Sequence, residues 1–136
     1  MSQARSRAPR RGIHRAALLA VAGVCVIATC APAVAPAPAQ EVPGGLPEQG
    51  RAAIKTYGCG ACHTIPGVIG ARGRVGPSLD GFASRASIAG RFANTPENLV
   101  RWIRSPQALE PGSIMPDMGV TEPAARDIAA YLYRLR

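Results

Sequence analysis

Apolar side chains in this chain form one solid block near the N-terminus and then three short periodic runs separated by Gly- and Pro-rich stretches. The block, AALLAVAGVCVIAT from Ala16 to Thr29, is 14 residues long, short of the roughly 20 needed to cross a hydrocarbon core. The first periodic run follows Pro47, a residue suited to a first helical turn. Ala53, Ile54 and Tyr57 then recur at i, i+1 and i+4 before Gly58 stops the pattern, which predicts a helix over 47–57. The second has Thr95 as N-cap, Pro96 at the first helical position and Leu99, Val100, Trp102 and Ile103 on its apolar side. Pro106 ends it, predicting a helix over 96–104. In the third, Thr121 caps a run with Ala125, Ile128, Leu132 and Leu135 at spacings of 3, 4 and 3, predicting a helix over 122–134. The stretch IPGVIGARGRVGPSLDG, residues 65–81, shows no sustained alternation and reads as loop, and strand signals are almost absent elsewhere. The pattern predicts an all-α domain of three main helices joined by long loops.

Charge separates the apolar block from the domain. Arg5, Arg7, Arg10, Arg11 and Arg15 precede it with no acid among them, and no charged residue occurs from Ala16 to Ala39. Pro32, Pro36 and Pro38 follow, and APA at 37–39 has the small residues that a signal peptidase reads. Residues 1–39 are therefore expected to be a secretory signal peptide cleaved after Ala39, with export to the periplasm and an irregular arm at 40–46. IATC at 27–30 is the alternative: a lipoprotein box with Cys30 lipidated would tether the protein at the outer face of the inner membrane, although Thr29 is bulky for that position. Arg10 and Arg11 form a twin-arginine pair without a supporting motif. Of the 16 basic residues, 11 remain after the leader against 8 acids. That modest, interspersed excess removes the main support for nucleic-acid binding.

The remaining segment is small and carries few aromatics, namely Tyr57, Phe82, Phe92, Trp102, Tyr131 and Tyr133. A domain of that size buries a modest fraction of its surface, so something besides side chains is expected to fill its centre. GCGACHTIPG, at 58–67, supplies the candidate. A structural zinc would need a fourth ligand beside Cys59, Cys62 and His63, and the other histidine, His14, lies in the leader. A thioredoxin-like dithiol would follow a strand in a βαβ unit, which is absent, and a plain disulfide leaves the adjacent histidine unexplained. Covalent haem attachment uses all three residues: two thiols add to the two vinyl groups of one porphyrin, and the imidazole faces the iron. A second axial ligand is then wanted, and PGSIMPDMGV offers Met115 between Pro111 and Pro116, with Met118 three residues on as the competing thioether.

Taken together, CGACH, GPSLDGFASR (76–85), WIRSPQALEPGSIMP (102–116) and ARDIAAYLYRL resemble, in order and spacing, a class I cytochrome c over residues 47–136. The resemblance implies one haem c wrapped by three helices and long loops, with Gly50, Ala53 and Ile54 of the first helix crossing Ile128, Tyr131 and Leu132 of the last. It implies that the Pro77 carbonyl accepts a hydrogen bond from His63, that Leu79 packs on the haem, that Arg85 meets a propionate, and that Trp102 lies on the methionine side. Lys55 is the single lysine, so the lysine docking ring of the mitochondrial form is not expected. With His63 and Met115 both on the iron, the implied function is single-electron transfer rather than catalysis. The partners would be redox proteins, either membrane respiratory complexes or other periplasmic carriers. A five-coordinate haem reactive towards gas or peroxide, and a tethered haem subunit of a larger respiratory complex, are the alternatives.

Overall fold

The computed structural model describes residues 40–136. The expected leader, with its cleavage point, Cys25 and Cys30, lies outside the described residues. Helices dominate: α1 (Pro47–Thr56), α2 (Pro96–Arg104), α3 (Pro106–Leu109) and α4 (Glu122–Leu132). Two single 3₁₀ turns, Cys59–Ala61 and Phe82–Ser84, punctuate the long connection between α1 and α2.

The helices start where local chemistry says they should. The Thr95 hydroxyl accepts from the Asn98 N–H at 3.3 Å and the Thr121 hydroxyl from the Ala124 N–H at 3.5 Å, each satisfying a donor that the first turn leaves without an intrahelical partner. Proline follows both caps within two residues. The start of α1 has no side-chain cap of its own. Instead the Leu46 N–H donates to Asp127 Oδ1 of α4 at 2.8 Å, so one helix begins by holding another.

Three features depart from the sequence reading. Residues 133 and 134 do not continue α4. The Arg134 and Leu135 N–H groups reach only three residues back, and the Leu135 carbonyl accepts instead from Ala83 N at 2.9 Å. Pro106 closes α2 as expected but also opens α3, because Ser105 leaves the helical region (φ −147°, ψ 64°), as a residue before proline tends to, and the proline ring then sits at a first helical position. The all-α expectation also missed a minimal antiparallel hairpin. In it β1 (Ser87–Ile88) pairs with β2 (Phe92–Ala93) in the register Ser87 to Ala93 and Ile88 to Phe92. Its turn places Ala89 at φ 51° and Gly90 at φ 72°, the two positive values that a tight hairpin turn of the right twist demands. Strands of two residues are too short to show any alternation.

The core lies where α1 crosses α4, with α2 against α4 on one flank. Ile54 and Ile128 are 1% and 2% exposed, and Tyr131 and Leu132 are buried beside them. Gly50 makes the close approach possible, since a Cβ there would run into the Asp127 carbonyl and the Ile128 nitrogen. The arm before α1, which holds a single turn and no regular element, packs on the domain. Val42 is buried, Gly45 N donates to its carbonyl at 3.0 Å, and Arg126 of α4 reaches the Pro43 carbonyl at 3.4 Å. Asn94 is the buried polar residue of the core. Its amide donates to the carbonyls of Phe82 and Arg85, both at 3.0 Å, and its oxygen accepts from the Tyr133 hydroxyl at 2.8 Å. Among the described residues no helix is long and apolar enough to cross a membrane.

Candidate functional site

A cleft of about 510 Å³ opens against the core. Cys59, Cys62, His63, Pro77, Leu79, Arg85, Trp102 and Met115 all line it, so the structure brings the expected haem-site residues together. Ile54, Phe82, Leu99, Ile103 and Leu132 supply much of the remaining wall, making the interior largely apolar.

One wall is the CGACH segment. Gly58 at φ 68° ends α1 in a left-handed turn, and the chain then winds through a single helical turn. In that turn Cys62 N and His63 N both reach the Cys59 carbonyl, at 3.3 and 3.0 Å. Residues three and four apart in such a turn share a side, which brings both thiols and the imidazole to the cleft together. The loop after them is laced to this segment by Gly73 N to Gly60 O (3.0 Å), Gly76 N to Cys62 O (2.9 Å) and Leu79 N to Thr64 O (2.8 Å). Gly60 and Gly76 are glycine for closeness: a Cβ on the first would meet Ala71 at 2.7 Å, and one on the second would overlap the His63 ring.

His63 Nδ1 lies 2.7 Å from the Pro77 carbonyl oxygen. A carbonyl only accepts, so Nδ1 carries the proton and the lone pair is on Nε2, the arrangement of an imidazole made ready to bind a metal. The Pro77 turn is itself braced by Arg85, whose guanidinium donates to the carbonyls of Ser78 and, at 2.9 Å, Asp80, and lies 5.5 Å from the Phe82 ring centre. Trp102, half-buried on α2, packs on Phe92 at 5.9 Å between ring centres. On the methionine side, Met115 is partly buried while Met118 is 43% exposed. Sequence reasoning passed over the Asn94–Tyr133 pair and Gln107, which binds the methionine loop; a single asparagine or glutamine in a polar run carries no pattern that would mark it.

The thiols argue against the other readings of CGACH. Cys59 and Cys62 are both free. Burial, outweighing the local backbone hydrogen bond, pushes the Cys59 thiol up from its ordinary value, and the neighbouring Cys62 adds to the rise. A redox dithiol needs the opposite, a depressed thiol that ionises readily. Among the described residues no cluster of three His, Cys, Asp or Glu could hold a metal ion, which leaves a structural zinc without a site. An apolar cleft with both thiols and an oriented imidazole on one wall fits a porphyrin held by thioether bonds.

The family model described as cytochrome c matches residues 47–136. The chain belongs to the cytochrome c family. Haem c is therefore its cofactor, attached through Cys59 and Cys62. Cytochrome c2 of Rhodopila globiformis is 36% identical over 107 residues, which is 69% of this chain and 97% of that protein. Cytochrome c oxidase subunit 2 of Alkalihalophilus pseudofirmus is 37% identical over 92 residues, covering 67% of this chain and 26% of that subunit. The subunit 2 of Bacillus sp. strain PS3 is 35% identical over 65 residues, 18% of its length. The chain thus spans nearly all of the cytochrome c2 but about a quarter or less of the oxidase subunits.

Proposed function

We propose that this cytochrome is an exported, periplasmic carrier that passes single electrons through a haem c ligated by His63 and Met115, and that it has no catalytic activity of its own. The observation that carries the reading is the His63 Nδ1 to Pro77 hydrogen bond, together with Met115 in the same cleft. Two protein ligands leave no open coordination position for a substrate. Haem, held through Cys59 and Cys62 with His63 and Met115 as the residues that would ligate its iron, would supply a one-electron couple, and thioether ligation would raise its potential. The chain's own residues do the rest. Pro77 fixes the ring plane and basicity of His63. Leu79 and Trp102 exclude water from the cleft. Arg85 keeps guanidinium N–H groups for a propionate beyond those used on the 78–80 turn.

Spectra and ligand binding test this. The oxidised protein should show the weak long-wavelength absorption of a sulfur–iron bond. Met115→Ala should abolish it, lower the potential and admit carbon monoxide once reduced, while Met118→Ala should leave the band intact. A parent protein that lacks the band and binds carbon monoxide readily would instead be the five-coordinate, gas-reactive form.

A second reading is favoured by the two oxidase subunits among the relatives: a haem domain held beside a respiratory complex. Intact mass separates the two. A soluble species beginning at Gln40 fits the mobile carrier, and an acylated species beginning at Cys30 that partitions into detergent fits the tethered donor.

A further inference from the structure

We propose that Gln107 is the positioning residue of the Met115 loop, a clamp whose amide keeps the thioether where it can bind; the inference rests on the reading of Met115 as axial ligand. The loop from Glu110 to Val120 has little else to hold it. Among the described residues its backbone-to-backbone bonding stops at Ser113 N to Glu110 O, 3.0 Å, and resumes only at the start of α4. Burial fastens only its far end, at Val120, and leaves the middle free, where Ile114 is 81% exposed and Met118 43% exposed. Gly112 at φ 87° and Gly119 at φ 66° leave both ends pliable.

Gln107, on α3, spans the gap. Its side-chain nitrogen donates to the Ser113 carbonyl at 2.5 Å and to the Met115 carbonyl at 2.7 Å, one N–H to each side of exposed Ile114. Its backbone N–H lies 3.4 Å from Asp117 Oδ1, and Ser113 Oγ accepts from Met115 N at 3.3 Å. Two acceptors two residues apart require two N–H groups on one planar nitrogen, which a carboxamide has and a carboxylate lacks. The position also suits the task, since α3 is fixed to the core through fully buried Pro106.

The test is the rate at which oxidised, haem-loaded protein binds imidazole when imidazole is saturating and release of the native ligand limits the reaction. Gln107→Glu keeps the shape and removes both donors, so it should raise that limiting rate roughly tenfold or more, as two lost hydrogen bonds imply. Gln107→Ala should do the same. The sulfur–iron band should fade at a lower temperature in both variants while the helical circular dichroism still holds, which a general loss of stability would not produce. Limiting rates within twofold of the parent in both variants overturn the clamp, provided Met115→Ala has abolished the band. If the parent has no such band, or Met115→Ala leaves it unchanged, the ligand reading itself falls and the clamp with it.

Discussion

Replacing Asn94 with alanine should be among the most damaging single changes away from the haem cleft. The side chain is 6% exposed and makes three hydrogen bonds, two as donor at 3.0 Å and one as acceptor at 2.8 Å. At a net value of about 1 kcal/mol each, with the Tyr133 hydroxyl then left buried and unpaired, the loss is about 3–4 kcal/mol. Against a typical total of about 5–15 kcal/mol that is a large share. Guanidinium unfolding of the haem-loaded protein, followed by circular dichroism, measures it. Tyr133→Phe removes one of the same bonds, so the double variant should fall short of the sum of the singles by about 1 kcal/mol. A second signature comes from alkali. Burial, and then the charge of Glu97, raise the Tyr133 phenol above its ordinary 10.0. The folded state therefore holds its proton where the unfolded state releases it. That contribution is complete below pH 10 and is lost as pH rises, at up to about 1.4 kcal/mol per pH unit. Tyr133→Phe should flatten that alkaline decline. A loss under 1 kcal/mol for Asn94→Ala, with strictly additive singles, would show that the network is decoration rather than support.

Gly50→Val drives a branched side chain into the Asp127 carbonyl at the helix crossing and should cost at least about 1–3 kcal/mol in thermal or denaturant unfolding; a neutral result would mean that α1 and α4 can part freely. Gly76→Ala puts a methyl group against the His63 ring, nominally 2.7 Å from Nδ1. It should weaken the bond to Pro77, seen by NMR as roughly tenfold faster exchange of the Nδ1 proton, and an unchanged rate would contradict the close packing. Ala89→Gly relieves a left-handed alanine at φ 51° and should stabilise by about 0.5–1 kcal/mol; a loss of stability would mean that the methyl group packs usefully.

What could be read without coordinates was whatever depends on near neighbours. Thr95 and Thr121 cap their helices within three residues of themselves, and Pro47 and Pro96 act through their own rings, so the starts of α1, α2 and α4 were legible almost to the residue, whereas α3, opened by the same Pro106 that closes α2, was not. Cys59, Cys62 and His63 sit within one turn, and their chemistry follows from that spacing. Helix ends were less legible: beyond Leu132 the chain tightens into turns three residues wide, and the Leu135 carbonyl meets Ala83 N, some fifty residues away in the chain. The hairpin escaped notice because two-residue strands have no period. Asn94 and Gln107 show the same limit most clearly. Each matters through carbonyls brought to it by the fold, and a carbonyl is present at every residue, so nothing in the local sequence distinguishes the ones that will be met.

The crossing of α1 on α4 has a consequence for the order of events during biogenesis. The buried face of α1 finds its cover some seventy residues further along the chain, and Leu46 is tied to Asp127 across 81 positions. Closing so long a loop repays its entropy only once both ends are present. A chain threaded N-terminus first would therefore expose Cys59 and Cys62 before the residues of α4 arrived. Both thiols would stay open for thioether formation during that interval, and α4 would close the domain only afterwards.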